Sequence, residues 1–263
     1  MATIHLERRD DVIRLTLARP AVRNAFDDTM IGELLGWARE AAADQRARAV
    51  VITGEGPSFC AGADLAWMER MRDYDQARNL ADASAVADLF HTLATLPMPV
   101  IAAAHGAALG GGAGLLAVSD LVVAERGAQF GFTEARLGIL PAVIAPYVVR
   151  RIGLAAARGL FLTARRLDAA ESWRLGLVDE LTDAGTLQAR TEAILDEVLQ
   201  GAPSAQRATK ALLARIEPLP VQAVRDATAA AIAAQRVSDE GQEGLRAFFE
   251  RRPPAWRRVG PDA

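Results

Sequence analysis

Between Ala102 and Asp120 the chain reads AAAHGAALGGGAGLLAVSD, which gathers Gly106, Gly110, Gly111, Gly112 and Gly114 into one short span. An apolar run of β type (100–104) enters this span, and an apolar run of helical type leaves it. Glycine is costly inside regular structure and useful where the backbone takes unusual dihedrals or approaches another group closely. Between a strand and a helix it also leaves the first N–H groups of the helix free to meet an anion. That anion is either a phosphate or a developing oxyanion. A nucleoside-triphosphate loop requires Lys-Ser/Thr after its glycines. Here Gly106-x4-Gly111 is followed by Gly112-Ala113, so that reading fails. Gly112-Ala113-Gly114-Leu115-Leu116-Ala117 fits the dinucleotide pattern G-x-G-x-x-A, with Glu134 twenty residues beyond Gly114. The next strand, 120–124, ends ten residues too early for that acid to close it. NAD binding is not expected.

Other chemistry-bearing residues are few. Cys60 is the single cysteine and the histidines are three, His5, His91 and His105, which excludes an intrachain disulfide and argues against a structural zinc site. Cys60 has no obvious partner and reads as a small buried filler rather than a nucleophile. His105 reads as a packed or hydrogen-bonded side chain at a strand end, and Asp64 as a helix cap.

The elements that must position these residues follow from periodicity. Runs 4–8 and 12–17 form a hairpin around Arg9-Asp10-Asp11. Asp27 or Asp28 caps a helix with Met30, Leu34, Trp37, Ala38 and Ala41 inward. Run 48–53 is a strand buried on both faces if the sheet is parallel. Helices follow at 64–71 and 75–96, the second with Leu80, Val86, Leu89, Phe90 and Leu93 inward, and Pro97 and Pro99 end it. Strand 100–104, the glycine span with its helix, and strand 120–124 complete an alternating α/β order. Beyond Phe132 the chain reads as mainly helical, at 142–152, 154–162, 168–175, 187–199, 204–216, 221–237 and 240–250. Asp168 and Glu171 form a capping-box pattern. The tail, 251–263, reads as extended.

With 263 residues, 51% hydrophobic and a net charge of −3, the chain can bury one large core plus an appendage. That charge gives no general reason to bind nucleic acid or an anionic membrane. The N-terminus, MATIHLERRDD, places charges where a signal peptide needs an apolar core, so a cytoplasmic location is expected.

Four ordered motifs then narrow the reading: FCAGADLAWM, HGAALGGGAGLLAVSDLVVA, FTEARLGILP and GLVDE. Together, from about Ile13 to Val178, they resemble the enoyl-CoA hydratase/isomerase (crotonase) superfamily. The resemblance implies an α/β fold, a crotonase-like spiral of stacked ββα units over 1–190, with a C-terminal helical region at 191–263 for core capping and trimerisation. It implies a homotrimer or dimer of trimers, and an acyl-CoA substrate with coenzyme A arriving as part of it and no permanently bound cofactor. The chemistry implied passes through a thioester enolate, held by the N–H groups of Ala63 and Gly111, with Glu134 as acid/base. Ala61, Gly62, Asp64, Leu65, Gly110, Gly114 and Pro141 would border the substrate. Arg23 would lie by the CoA phosphates, and Trp67 and Met68 in the acyl pocket or in the core. Phe248, Phe249 and Arg252 would reach CoA from a neighbouring subunit, or else pack their own helix.

One departure stands out. Typical hydratases of this superfamily carry a second glutamate three residues after the position of Gly111, and this chain has Gly114 there. A lone carboxylate resembles the Δ3,Δ2-enoyl-CoA isomerases and also a branch of hydratases acting on methylglutaconyl- and isohexenylglutaconyl-CoA. ADLAWM and LPAVIAPYVVRRIG resemble that branch more closely. Hydration of a branched or glutaconyl-type 2-enoyl-CoA is therefore the expectation, with isomerisation or low-turnover acyl-CoA binding as alternatives. Glu69, Asp73 and Asp75 are further carboxylates that could fold over the acyl group, or simply be solvated.

Overall fold

The structure, a computed structural model, describes residues 2–217 and 221–257, with 221–227 by backbone only. The chain opens with β1 (Ile4–Arg9) and β2 (Val12–Leu17), an antiparallel hairpin turning at Asp10 with φ of 55°. A short 3-10 turn (Pro20–Val22) leads to α1 (Asp28–Ala43), whose first turn is capped by the Asp27 carboxylate on Met30 N–H at 2.8 Å. Then come β3 (Ala49–Gly54), α2 (Leu65–Met71), α3 (Gln76–Ala94), β4 (Val100–Ala104), β5 (Ala107–Leu109), α4 (Gly111–Val118), β6 (Leu121–Glu125) and β7 (Gln129–Gly131). A 3-10 turn (Glu134–Leu137) precedes α5 (Ala145–Ile152), α6 (Leu154–Thr163), β8 (Arg166–Asp168), α7 (Ala169–Arg174), β9 (Glu180–Thr182) and α8 (Leu187–Leu199).

Two sheets result. The larger runs β1-β2-β3-β4-β6-β9, parallel from β2 onward, and the smaller runs β5-β7-β8. Parallel pairing needs a crossover between neighbours. Residues 49–52 of β3 are all buried, as a central parallel strand requires. Successive turns of chain each give one strand to the large sheet, a short segment to the small one, and then a helix. Segment 60–63 follows β3, β5 follows β4, and β7 follows β6; single bridges Cys60↔Ala108 and Phe26↔Ala63 widen the small sheet. This is the expected spiral of ββα units.

Residues 1–96 and 100–192 form one compact unit, and 97–99 with 193–263 a second. Within the second, α9 (Pro203–Ile216), α10 (Val221–Val237) and α11 (Asp239–Glu250) pack on one another.

Several expectations are corrected. Leu80 is exposed, because only the C-terminal half of α3 (Leu89, Phe90, Leu93) is buried. Asp168 does cap Glu171 N–H at 2.7 Å, but the Glu171 carboxylate pairs with Arg165 instead of closing a reciprocal box. The short strands β5, β7, β8 and β9 carry three residues each, too few to show a period of two. The tail over 251–257 turns back rather than extending: Glu243 receives Arg252 and Ala255 N–H, and the Trp256 indole donates to Gln200 O. Residues 258–263 lie outside those described.

Candidate active site

The glycines of the 106–112 span are required by a second loop lying directly on them. A Cβ on Gly106 would stand 1.9 Å from Pro57 O, and one on Gly112 2.2 Å from Cys60 O. Backbone pairs lock the two loops together: Phe59 N–H to His105 O, Cys60 N–H to Ala107 O and Leu109 N–H to Cys60 O, at 2.9–3.0 Å. On its other side the 59–64 loop pairs with 23–26, through Ala61 N–H to Arg23 O, Phe26 N–H to Gly62 O and Asp64 N–H to Phe26 O.

This pairing fixes two donors. A trans peptide points its C=O and N–H in opposite directions. Gly62 C=O accepts from Phe26, so the N–H of Ala63 points away from that segment; Gly110 C=O accepts from Gly114 N–H, so the N–H of Gly111 points out of the helix start. Neither N–H has an acceptor among the described residues. The two loops touch here: a Cβ on Gly62 would lie 2.9 Å from Leu109 O and 3.8 Å from Gly110 Cα. Gly62 and Gly110 have φ of 94° and 51°, a region that disfavours side chains. Gly111 also begins α4, so the helix dipole adds positive potential at its N–H.

Glu134 stands at the same junction. Its Oε1 lies 3.1 Å from the point where a Gly110 Cβ would be, and its Oε2 is buried without a hydrogen-bond partner. The residue is half-buried at the head of its 3-10 turn, and burial pushes its carboxyl above the usual carboxylate range. The junction therefore combines two free main-chain donors with a carboxyl group that burial makes a better proton acceptor than an ordinary glutamate.

The remaining candidates separate. Asp64 is buried and structural: Oδ1 accepts from Ala66 and Trp67 N–H, and Oδ2 from Arg19. Arg23 is exposed in a left-handed conformation and contributes its C=O to Ala61. Trp67 is buried with its indole N–H unpartnered, Met68 is half-buried, and Leu65 is 80% exposed. Pro141 is buried and its C=O receives Ala145 N–H. Gly114 is buried against Ile144 and Phe90. Asp75 is spent capping α3, while Glu69 and Asp73 are exposed. His105 Nε2 is held at 2.8 Å by Gly56 O. Cys60 is fully buried and its thiol is pushed up to about 12, which removes it as a nucleophile. Arg252 is occupied by Glu243 and Glu250, and Phe248 and Phe249 stand exposed.

Two positioning residues escape sequence reasoning. One Nη of Arg19 bridges Asp27 (2.8 Å) and Asp64 (3.0 Å) while the other donates to Ala25 O, so one guanidinium joins the caps of α1 and α2. Asn24, fully buried at φ 57°, donates to the C=O groups of Glu55, Ser58 and Phe59 and accepts from Arg19 N–H. The sequence signal was slight: an Asn four residues after Arg19-Pro20, a residue type that tolerates the left-handed region.

The sequence profile of the enoyl-CoA hydratase/isomerase family matches residues 7–259. The chain belongs to that family. Among its relatives is the 2,3-dehydroadipyl-CoA hydratase of Escherichia coli, 30% identical over 258 residues, covering 98% of this chain and 99% of the relative. Among solved structures, Pseudomonas aeruginosa AtuE is 42% identical with a TM-score of 0.94, covering 97% of this chain and all of that one. An enoyl-CoA hydratase from Shewanella pealeana is 37% identical with a TM-score of 0.92, over 97% and 96% of the two chains. The family match reaches well beyond the 13–178 span of the motifs and takes in the C-terminal helices. Among the described residues, no helix is long and apolar enough to cross a membrane, and no cluster of His, Cys, Asp or Glu could hold a metal.

Proposed function

We propose that this family member adds water to a 2-enoyl-CoA thioester, with Ala63 and Gly111 N–H as the oxyanion hole and Glu134 as the acid/base. The observation that carries this reading is the Glu134 carboxyl, whose Oε1 stands beside Gly110, one residue before the free Gly111 N–H, and whose Oε2 is buried without a partner. The Glu134 carboxylate takes a proton from water as the water oxygen bonds to the β-carbon. The displaced π electrons move to the thioester oxygen, where the two N–H groups meet them. Glu134 then returns that proton to the α-carbon, restoring the thioester and leaving the enzyme unchanged. In other enzymes each such donor contributes roughly 3–4 kcal/mol to the barrier. In this reading coenzyme A enters as part of the substrate and the reaction calls on no resident cofactor.

Ala61, Gly62 and Gly110 give the thioester close access to the main chain, whereas Gly114 is covered by Ile144 and Phe90. Leu65, Trp67, Met68 and Pro141 border the acyl group, Asp64 holds the helix of the first three, and Arg23 lies by the CoA phosphates. The acyl class proposed is branched or glutaconyl-type. The Escherichia coli relative supports a carboxylated acyl chain, since its name denotes a dicarboxylic enoyl thioester. Glu134, with Gly114 where the resemblance expects a second glutamate, favours a second reading, transfer of a proton between α- and γ-carbons in a 3-enoyl-CoA.

Crotonyl-CoA, 3-methylglutaconyl-CoA and a 3-enoyl-CoA offered to the purified protein separate these readings by thioester absorbance and product mass. A gain of one water on the glutaconyl substrate is expected. A shifted double bond at unchanged mass selects the isomerase, and binding without turnover on all three rejects both.

A further inference from the structure

The position three residues after Gly111 is not simply empty. A Cβ on Gly114 would stand 2.4 Å from Cγ2 of Ile144 and 3.0 and 3.1 Å from Cε1 and Cζ of Phe90. Neither neighbour can give way cheaply. Cγ2 of isoleucine is bonded to Cβ, so it moves only with χ1 or with the backbone. The backbone at Ile144 is itself held, because its C=O receives Tyr147 and Val148 N–H at the start of α5. Phe90 is fully buried, with Phe26 edge-on at 6.5 Å and Tyr147 at 6.4 Å. The wall at Gly114 is thus a methyl group and an aromatic edge. Neither of these groups gives an ordered water a hydrogen-bond partner.

We propose that Ile144 is the specificity-determining residue of this site: packed on Gly114 against Phe90, it closes the place of a second carboxylate and of the water that carboxylate would hold. Among the described residues, Glu134 is then left as the carboxylate at the reacting carbons. The kinetic part of this inference rests on the reaction proposed above; the packing part does not. Gly114 and Ile144 act as a matched pair, so restoring a glutamate at 114 requires shrinking 144 as well.

Three variants test this: Gly114→Glu, Ile144→Ala and the double variant, each followed by Tm and by hydration of crotonyl-CoA. Gly114→Glu alone is expected to lose soluble yield and Tm, and Ile144→Ala to lose Tm through the cavity it opens. The double variant is expected to melt above the sum of the two single shifts, the signature of a direct contact. It is also expected to hydrate crotonyl-CoA at least about tenfold faster than Ile144→Ala, the low end of what a positioned acid/base supplies. A Gly114→Glu variant as stable as the wild type, additive Tm shifts, or a double variant no more soluble than Gly114→Glu overturns the packing assignment. Non-additive Tm shifts with no gain in hydration overturn the assignment of specificity. If the wild type turns over no enoyl thioester while the Tm coupling holds, the proposed reaction falls and the packing assignment stands.

Discussion

At the scale of single residues, Glu134 sits where stability and chemistry pull against each other. Its carboxyl is raised by burial, so between its unfolded and folded pKa the native state binds more protons than the unfolded one. Stability tied to this group is therefore full at acidic pH and is lost as pH rises through the folded pKa. Glu134→Gln removes that cost, and its Tm is expected to exceed the wild type at neutral pH with the difference closing in acid. The same substitution is expected to lower kcat by about 10²–10⁴-fold with little change in affinity for a CoA thioester. Steady-state kinetics and thermal melts at two pH values check both effects; full retained activity would remove Glu134 from the mechanism. The wild-type kcat/KM should fall on the acid side at a pH above the ordinary glutamate range, since only the ionised form takes a proton from water.

Among elements, the oxyanion-hole candidates are held by loops rather than by side chains of their own. Segment 59–64 is clamped between 23–26 and 105–109, and Arg19 ties the caps of the two helices flanking it. Removing one partner of a mostly buried ion pair leaves charge without compensation. Arg19→Met is expected to cost about 3 kcal/mol, measured by denaturant unfolding, because two carboxylates lose their partner together. Its kcat should fall as well, since Asp64 fixes α2 directly after Ala63. A loss of stability with unchanged kcat would show that Ala63 is positioned by the backbone pairs alone.

For the whole molecule, the exposed apolar residues indicate surfaces fitted for burial. Leu154 and Leu162 on α6 are 57% and 77% exposed, and Phe248 and Phe249 on α11 are 75% and 78% exposed, their rings stacked edge-on. Aromatic pairs left in water favour association. Sedimentation is expected to give a trimer or a hexamer, and Phe248→Asp with Phe249→Asp is expected to reduce the mass. A monomeric wild type would place the site within one chain. Compact units part at 192/193, close to the expected division at 190/191.

The amino-acid order alone determined what depends on local periodicity and on motif. The long strands and helices were legible because a period of two or 3.6 repeats over enough residues. The caps at Asp27, Asp64 and Asp168 were legible because a short carboxylate before an apolar run has one efficient use, whereas the cap at Asp75 emerged only from the structure. The glycine span announced close backbone contact, and the ordered motifs announced the family. Tertiary structure decided what depends on residues far apart in sequence. Strands of three residues acquire meaning only through their partners. Arg19 and Asn24 look ordinary until the loops they hold are folded around them. Gly114 marks a missing carboxylate only beside the family motifs that the chain resembles; only the packing of Ile144 and Phe90 shows that a side chain there would collide, because volume is shared between side chains that the sequence sets dozens of residues apart.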